Sequence, residues 1–268
     1  DQPAADPATL GSLAGALVLY GVGRLLQPRR LDALLAGPKL EGPSLAHWLG
    51  TDSFGRDIFS RVLQGAGTTF LIALSTVAIG AVCGTAAGAL TGYFGGVVDE
   101  VLMRLNDALT AFPSILLALV LISILGPGNK YNVVIALGIV FIPSFARIMR
   151  SATLAVKGSL YVEVAQSLGC KDGRILFVHI FPGTIQTLIV NFTMRIGSAI
   201  MAASSLSFLG FGANVTDPEW GAMLSQSRSY LSTAPHMVYF PALVIFITVL
   251  AFNVFGDGLR DTLDPKIK

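Results

Sequence analysis

Three histidines, His47, His179 and His236, are the side chains best suited to move protons near neutral pH or to hold a metal, and they lie in separate segments. No HExxH or paired-cysteine spacing gathers them into a metal centre. Nor is there a GxSxG elbow or Cys/His pairing for nucleophilic catalysis, or a GxxxxGK[ST] loop to cradle phosphate. The chain is therefore expected to be no enzyme, with no catalytic, metal or cofactor site of its own; any ATP-Mg that drives it is bound elsewhere. What remains is charge placed where charge is costly. Arg195 falls near the middle of an apolar run at 184–205, where arginine costs about 2.5–3.5 kcal/mol unless it faces a cavity, a partner or water. Asn191 and Ser198 lie four and three positions away. Asn191, Arg195 and Ser198 are thus candidates for a translocation path, against snorkelling or pairing with another chain.

A second unusual stretch is EVAQSLGCKDGRILFVHIFPG, residues 163–183, a polar insert between two greasy segments. Tyr161, Ala165 and Leu168 recur at helical spacing, with Glu163, Gln166 and Ser167 on other faces, and Gly169 is suited to close that helix. Asp172 can cap a second short helix running through Ile175 and Val178 to Pro182. Two short amphipathic helices meeting at a turn make a knob, and its apolar stripe suits a groove on a soluble partner.

The elements that must position these residues are membrane spans. Of the 268 residues, 53% are hydrophobic and 13% charged, with a mean hydropathy of +0.69, which is outside the range of soluble domains. A hydrocarbon core about 30 Å thick needs about 20 apolar residues in a helix. Six runs qualify: 10–26, 69–91, 101–125, 131–149, 184–205 and 236–257. The reading is an all-α, polytopic protein with six transmembrane helices in the lipid bilayer. Gly80, Gly84, Gly88, Gly92 and Gly96 recur every four residues, a stripe that admits close helix packing, with a sliding conduit face as the alternative. Glu100 and Arg104, or Arg104 and Asp107, can neutralise each other at helical spacing, and Pro113 can kink that span.

Among the connections, 27–66 is a long polar link in which Thr51 or Asp52 can cap a helix and Asp52 can pair with Arg56. GPGNK at 126–130 is a tight turn, and 206–235 is a second polar loop. In the tail, Arg260 can reach Asp257 or Asp264 before Pro265 stops the helix. A net charge of +2 without a basic patch makes nucleic acid an unexpected partner. Cys83 and Cys170 fall in different environments and are expected as free thiols. Lys and Arg divide nine to eight between the two faces, so charge alone leaves orientation open. The first residues resemble no signal peptide, and the chain is expected to start part-way into the natural protein.

Glu163, Ala165, Gly169 and Pro182 fall at the spacings of the EAA loop, the cytoplasmic coupling segment in permease subunits of bacterial ATP-binding-cassette importers. LGTDSFGRD at 49–57, SFLGFG at 207–212, PEWGAML at 218–224 and FNVFGDGLRDTLDPK at 252–266 resemble the second permease subunit of the dipeptide/oligopeptide/nickel importers. The resemblance runs from about residue 45 to the end. It implies a type I ABC importer permease fold in the bacterial plasma (inner) membrane. It further implies a heterodimer with a second homologous permease, two ATPase subunits or domains, and an extracytoplasmic substrate-binding protein.

On this resemblance the segment 150–181 is cytoplasmic, and Tyr161, Glu163, Ala165, Leu168, Gly169 and Asp172 form the ATPase-coupling surface. Residues 1–66 then hold the first span and an external linker, 67–257 the permease core and 258–268 a cytoplasmic tail. The implied cargo is di- or oligopeptides, with nickel or a metal chelate, glutathione or another small solute as the alternative. A membrane enzyme or ion-driven carrier is the reading from another class, but no inverted repeat or buried carboxylate cluster supports it. The sequence departs from the family pattern at Val164, Phe181, Gly183, Gly67 and Ala203, and Arg195 is an added charge.

Overall fold

The computed structural model describes residues 37–212 and 217–263. The expected span at 10–26, and Asp264 and Pro265, lie outside them. The described residues are helical throughout, joined by turns and one isolated bridge between Thr51 and Asp57. Four helices are long and apolar enough to cross a membrane: α1 (Ile58–Phe94), α4 (Lys130–Lys157), α6 (Asp172–Phe208) and α8 (His236–Leu263). They contain the expected runs at 69–91, 131–149, 184–205 and 236–257.

The run at 101–125 behaves differently. Instead of one span it forms α2 (Gly96–Thr110) and α3 (Ser114–Leu125), which meet at 92°. Pro113 has no N–H and forces Phe112 out of the helical region, so the break sits where the proline dictates. The expected neutralisation within this segment also changes. Among the described residues, no ion pair joins Arg104 to Glu100 or Asp107. The acids reach across to α4 instead: Asp99 receives a fork of two hydrogen bonds from Arg150, both 2.6 Å, and Asp107 pairs with Arg147 at 3.1 Å. These pairs fasten both ends of α2 to a neighbouring span.

Helix starts follow local chemistry. Asp57, not Thr51 or Asp52, caps α1 by accepting from Ser60 N–H and Ser60 Oγ, each at 2.8 Å. Asn129 caps α4 through Tyr131 N–H at 2.9 Å, after the turn that Gly126 and Gly128 make at positive φ. α8 runs to Leu263, and no ion pair joins Arg260 to Asp257 among the described residues.

The glycine stripe is a packing seam. α1 lies along α4 so closely that a Cβ on Gly80 would stand 2.7 Å from Phe141 Cβ, and one on Gly84 2.6 Å from the Ile142 carbonyl. Gly88 and Gly92 continue the seam against Ala146 and Thr153. Gly96 has left it and opens α2 at φ +51°. In lipid no hydrophobic gain accrues from hiding one helix against another, so close backbone approach carries the association. Around this pair, α6 and α8 complete a core that includes Phe70, Phe145, Ile200 and Phe252. A second cluster, with Ile72, Ile122, Leu137 and Leu206, packs α3 against α1, α4 and α6.

Substituting Gly84 by Leu should lower the melting temperature of the detergent-solubilised chain by an amount equivalent to about 1–3 kcal/mol, the usual cost of overpacking. Gly67, with open space where its Cβ would be, provides the contrast. Gly67→Ala should leave the melting temperature unchanged or raise it by up to about 1 kcal/mol equivalent.

Candidate functional site

At one end of the bundle the chain leaves α4 at Gly158 and forms α5 (Leu160–Ser167). It then turns at Gly169 and enters α6 at Asp172. Gly169 sits at φ +76°, and two hydrogen bonds close the turn, Cys170 N–H to Ala165 C=O and Gly169 N–H to Gln166 C=O. This pairing is the Schellman closure that glycine favours. The second short helix is continuous with the span: Asp172–Arg174 leads through a π-helical stretch, Ile175–Ile180, into the α-helix at Phe181. Asp172 does not act as its cap. Its carboxylate accepts instead from Tyr93 Oη at 2.7 Å, while Lys157 Nζ donates to the Tyr93 carbonyl at 2.6 Å. The last turn of α1 therefore anchors the knob, over a small core of Tyr93, Val162, Ile175 and Ile180.

The expected stripe of Tyr161, Ala165 and Leu168 is divided by this packing. Ala165 turns inward with Val162, whereas Tyr161 and Leu168 are exposed, Leu168 at 79%. Leu160, Val164 and Leu168, four apart, form an outward apolar ridge beside exposed Glu163. Gly183 fits its site, because a Cβ there would stand 3.2 Å from Tyr161 Oη and 3.3 Å from Val156.

Mid-bundle, Arg195 and Ser198 line one groove of about 320 Å³ between the α2–α3 elbow, α4 and α6. Asn191 is not with them. It donates to the Thr187 carbonyl of its own helix at 2.8 Å and lines a separate groove with Met194 and Arg260.

The opposite end is closed by a folded cap that spacing alone did not reveal. Asp52 accepts from the Phe54 and Arg56 N–H groups and from Arg56 Nε at 2.7 Å, with Arg61 Nε at 3.7 Å. The expected Asp52–Arg56 pair thus forms, within a turn instead of a helix. His47 Nδ1 lies 3.1 Å from Asp57, and Arg56 reaches Gln226 at 3.4 Å. The other wall is α7 (Trp220–Ser227), which the buried Trp220 joins to α1 through Nε1 and the Val62 carbonyl at 2.8 Å. The stretches 49–57 and 218–224, far apart in sequence, therefore build one unit.

Glu219, fully buried, caps α7 by accepting from Gly221 and Ala222 N–H at 2.9 and 3.0 Å. Burial pushes its carboxyl above the ordinary glutamate range, against those two hydrogen bonds. The pattern Glu-Trp-Gly ahead of an apolar turn was the available signal for this cap. Both free cysteines match their expectation, Cys83 exposed and Cys170 partly so.

The helical bundle thus has a knob at one end, a cap at the other and, mid-bundle, an arginine that meets no carboxylate among the described residues. The chain belongs to the binding-protein-dependent transport system inner membrane components, whose family model matches residues 84–268. It is an ABC importer permease of the bacterial inner membrane. It is 53% identical over 228 residues to the glutathione transport system permease protein GsiD of Pectobacterium atrosepticum, over 85% of this chain and 75% of that protein. With GsiD of Escherichia coli O157:H7 the identity is 55% over 227 residues, with the same coverage. The MetNI methionine ABC transporter in an inward-facing conformation shares the fold, at TM-score 0.63 and 17% identity over 75% of this chain and 96% of that one. An amino acid ABC transporter with histidines gives 0.59 and 18%, over 74% and 92%.

Because the folded state holds the Glu219 proton more tightly than the unfolded chain does, its contribution to stability is complete below the ordinary value of 4.5. That contribution falls as pH rises through the raised value. Glu219→Gln cannot ionise and should flatten this slope, read as melting temperature across pH 4–8 in the solubilised protein.

Proposed function

We propose that the chain is one of two permease halves of an ATP-driven importer whose cargo is glutathione or a closely related short peptide. The observation that carries this is 53–55% identity with the glutathione permeases along 85% of the chain. The companion permease, a pair of ATPases and an extracytoplasmic binding protein complete the machine. The knob faces the cytoplasm and is the EAA coupling loop. Its ridge of Leu160, Val164 and Leu168 offers an apolar edge to the ATPase, with Glu163 as the charged contact. Contacts that differ between the ATPase states bias the spans between inward and outward openings. The anchoring of the knob on Tyr93, Lys157 and Asp172 supports this reading, because a docking element transmits force only if it is tied to the spans.

Co-expression of the chain with its companion permease, ATPases and binding protein in a strain lacking glutathione uptake should restore saturable entry of labelled glutathione. Entry of unrelated dipeptides alone would sink the cargo assignment. In the same assay Glu163→Lys or Gly169→Asp should abolish uptake and substrate-stimulated ATP hydrolysis while membrane insertion stays normal. Full activity in both variants would exclude the coupling role.

A further inference from the structure

The mid-bundle groove contains two arginines in different electrical situations. Arg147 is neutralised, with Nη2 at 3.1 Å from Asp107 and 2.7 Å from Thr110 Oγ1. Arg195 lines the same groove, partly exposed, and meets no carboxylate among the described residues. Ser144 and Ser198 supply hydroxyls to the lining, and Leu137, Phe141 and Leu206 supply apolar walls. An uncompensated guanidinium between such walls, midway along a span, attracts an anion far more strongly than one at a wet surface. The groove's volume of about 320 Å³ accommodates the end of a small molecule and not an extended oligopeptide. The planar fork of arginine matches a carboxylate with two parallel hydrogen bonds.

We propose that Arg195, with Ser198, receives the C-terminal carboxylate of the transported solute at mid-membrane, so that the chain favours cargo bearing a free C-terminal carboxylate. This rests on the permease reading above. A lipid phosphate offers the same anionic chemistry, and the test separates the two sources. The complete importer is reconstituted in vesicles of phosphatidylcholine alone and of phosphatidylcholine with phosphatidylglycerol. Maximal uptake is measured for glutathione and for its glycine-carboxamide, with wild type, Arg195→Gln and Arg195→Lys. The binding protein is unchanged throughout, so its preference cancels when variant and wild type are compared cargo by cargo.

Arg195→Gln should slow glutathione roughly tenfold or more and the carboxamide less than about twofold in both lipids, with Arg195→Lys recovering part of the rate. Equal losses on both cargoes, a loss confined to phosphatidylglycerol vesicles, release of the companion permease, or no loss would each overturn the proposal. A wild-type importer that moves no glutathione would instead remove the cargo reading on which it rests. A second measurement is independent of delivery. Ser198→Cys, with Cys83 and Cys170 changed to Ala, should react faster with an anionic than with a cationic methanethiosulfonate. Arg195→Gln should abolish that preference, and its persistence would also overturn the proposal.

Discussion

The close approach of α1 and α4 is the constraint on which the other contacts depend. A lipid-embedded helix gains little from hiding leucine against leucine, so the association needs backbones brought near each other, and the four-residue glycine repeat permits this. From that seam the rest is fastened. Arg147 and Arg150, on the α4 side, hold the two ends of α2, and Lys157 and Tyr93 hold the knob where the same two helices end. The seam therefore sets the position of the groove and of the knob together. A shift of one helix along the other by a single turn would displace every one of these attachments.

α5 and α6 end by the same device. Gly169 closes α5 just before α6 begins, and Gly210, at φ +92°, closes α6 itself, with Phe211 N–H bonding back to the Leu206 carbonyl. Beyond Gly210 the chain returns as α7 and lies flat on α6, where a Cβ on Gly221 would stand 2.6 Å from Ser204 Cα. The cap at that end is polar and buried, with Asp52, Asp57, Arg61 and Glu219 all nearly out of contact with solvent. Groups of this kind hold a fold in one arrangement because each misplaced partner leaves an unsatisfied charge.

Much of this was legible in the sequence, for identifiable reasons. Four long spans announce themselves through hydropathy alone, and the glycine repeat and Gly169 are readable because only one residue type serves their purpose. The elbow at Pro113 was visible as a kink but not as a 92° break, since the angle depends on Asp99 and Asp107 finding arginines 40 to 51 residues away. Within the knob, helical spacing identified an amphipathic segment and misassigned its faces. Val162 and Ala165 are buried because Tyr93 arrives from α1, a contact that no local period encodes. The cap between residues 49–57 and 218–224 depends on pairings across about 170 positions, such as Arg56 with Gln226.

The length of α6 has a mechanical meaning. At about 1.5 Å per residue its 37 residues span roughly 55 Å, well beyond the hydrocarbon thickness, so one rod touches both aqueous faces. It crosses α8 closely around Gly197, which packs on Val249 and Asn253, with Gly256 against Met194 one turn away. Measured from that crossing, the arm toward Asp172 has 25 residues (197 − 172) and the arm toward Phe208 has 11 (208 − 197). A rigid tilt about this crossing would move the far tip about half as far as the knob, in the opposite sense.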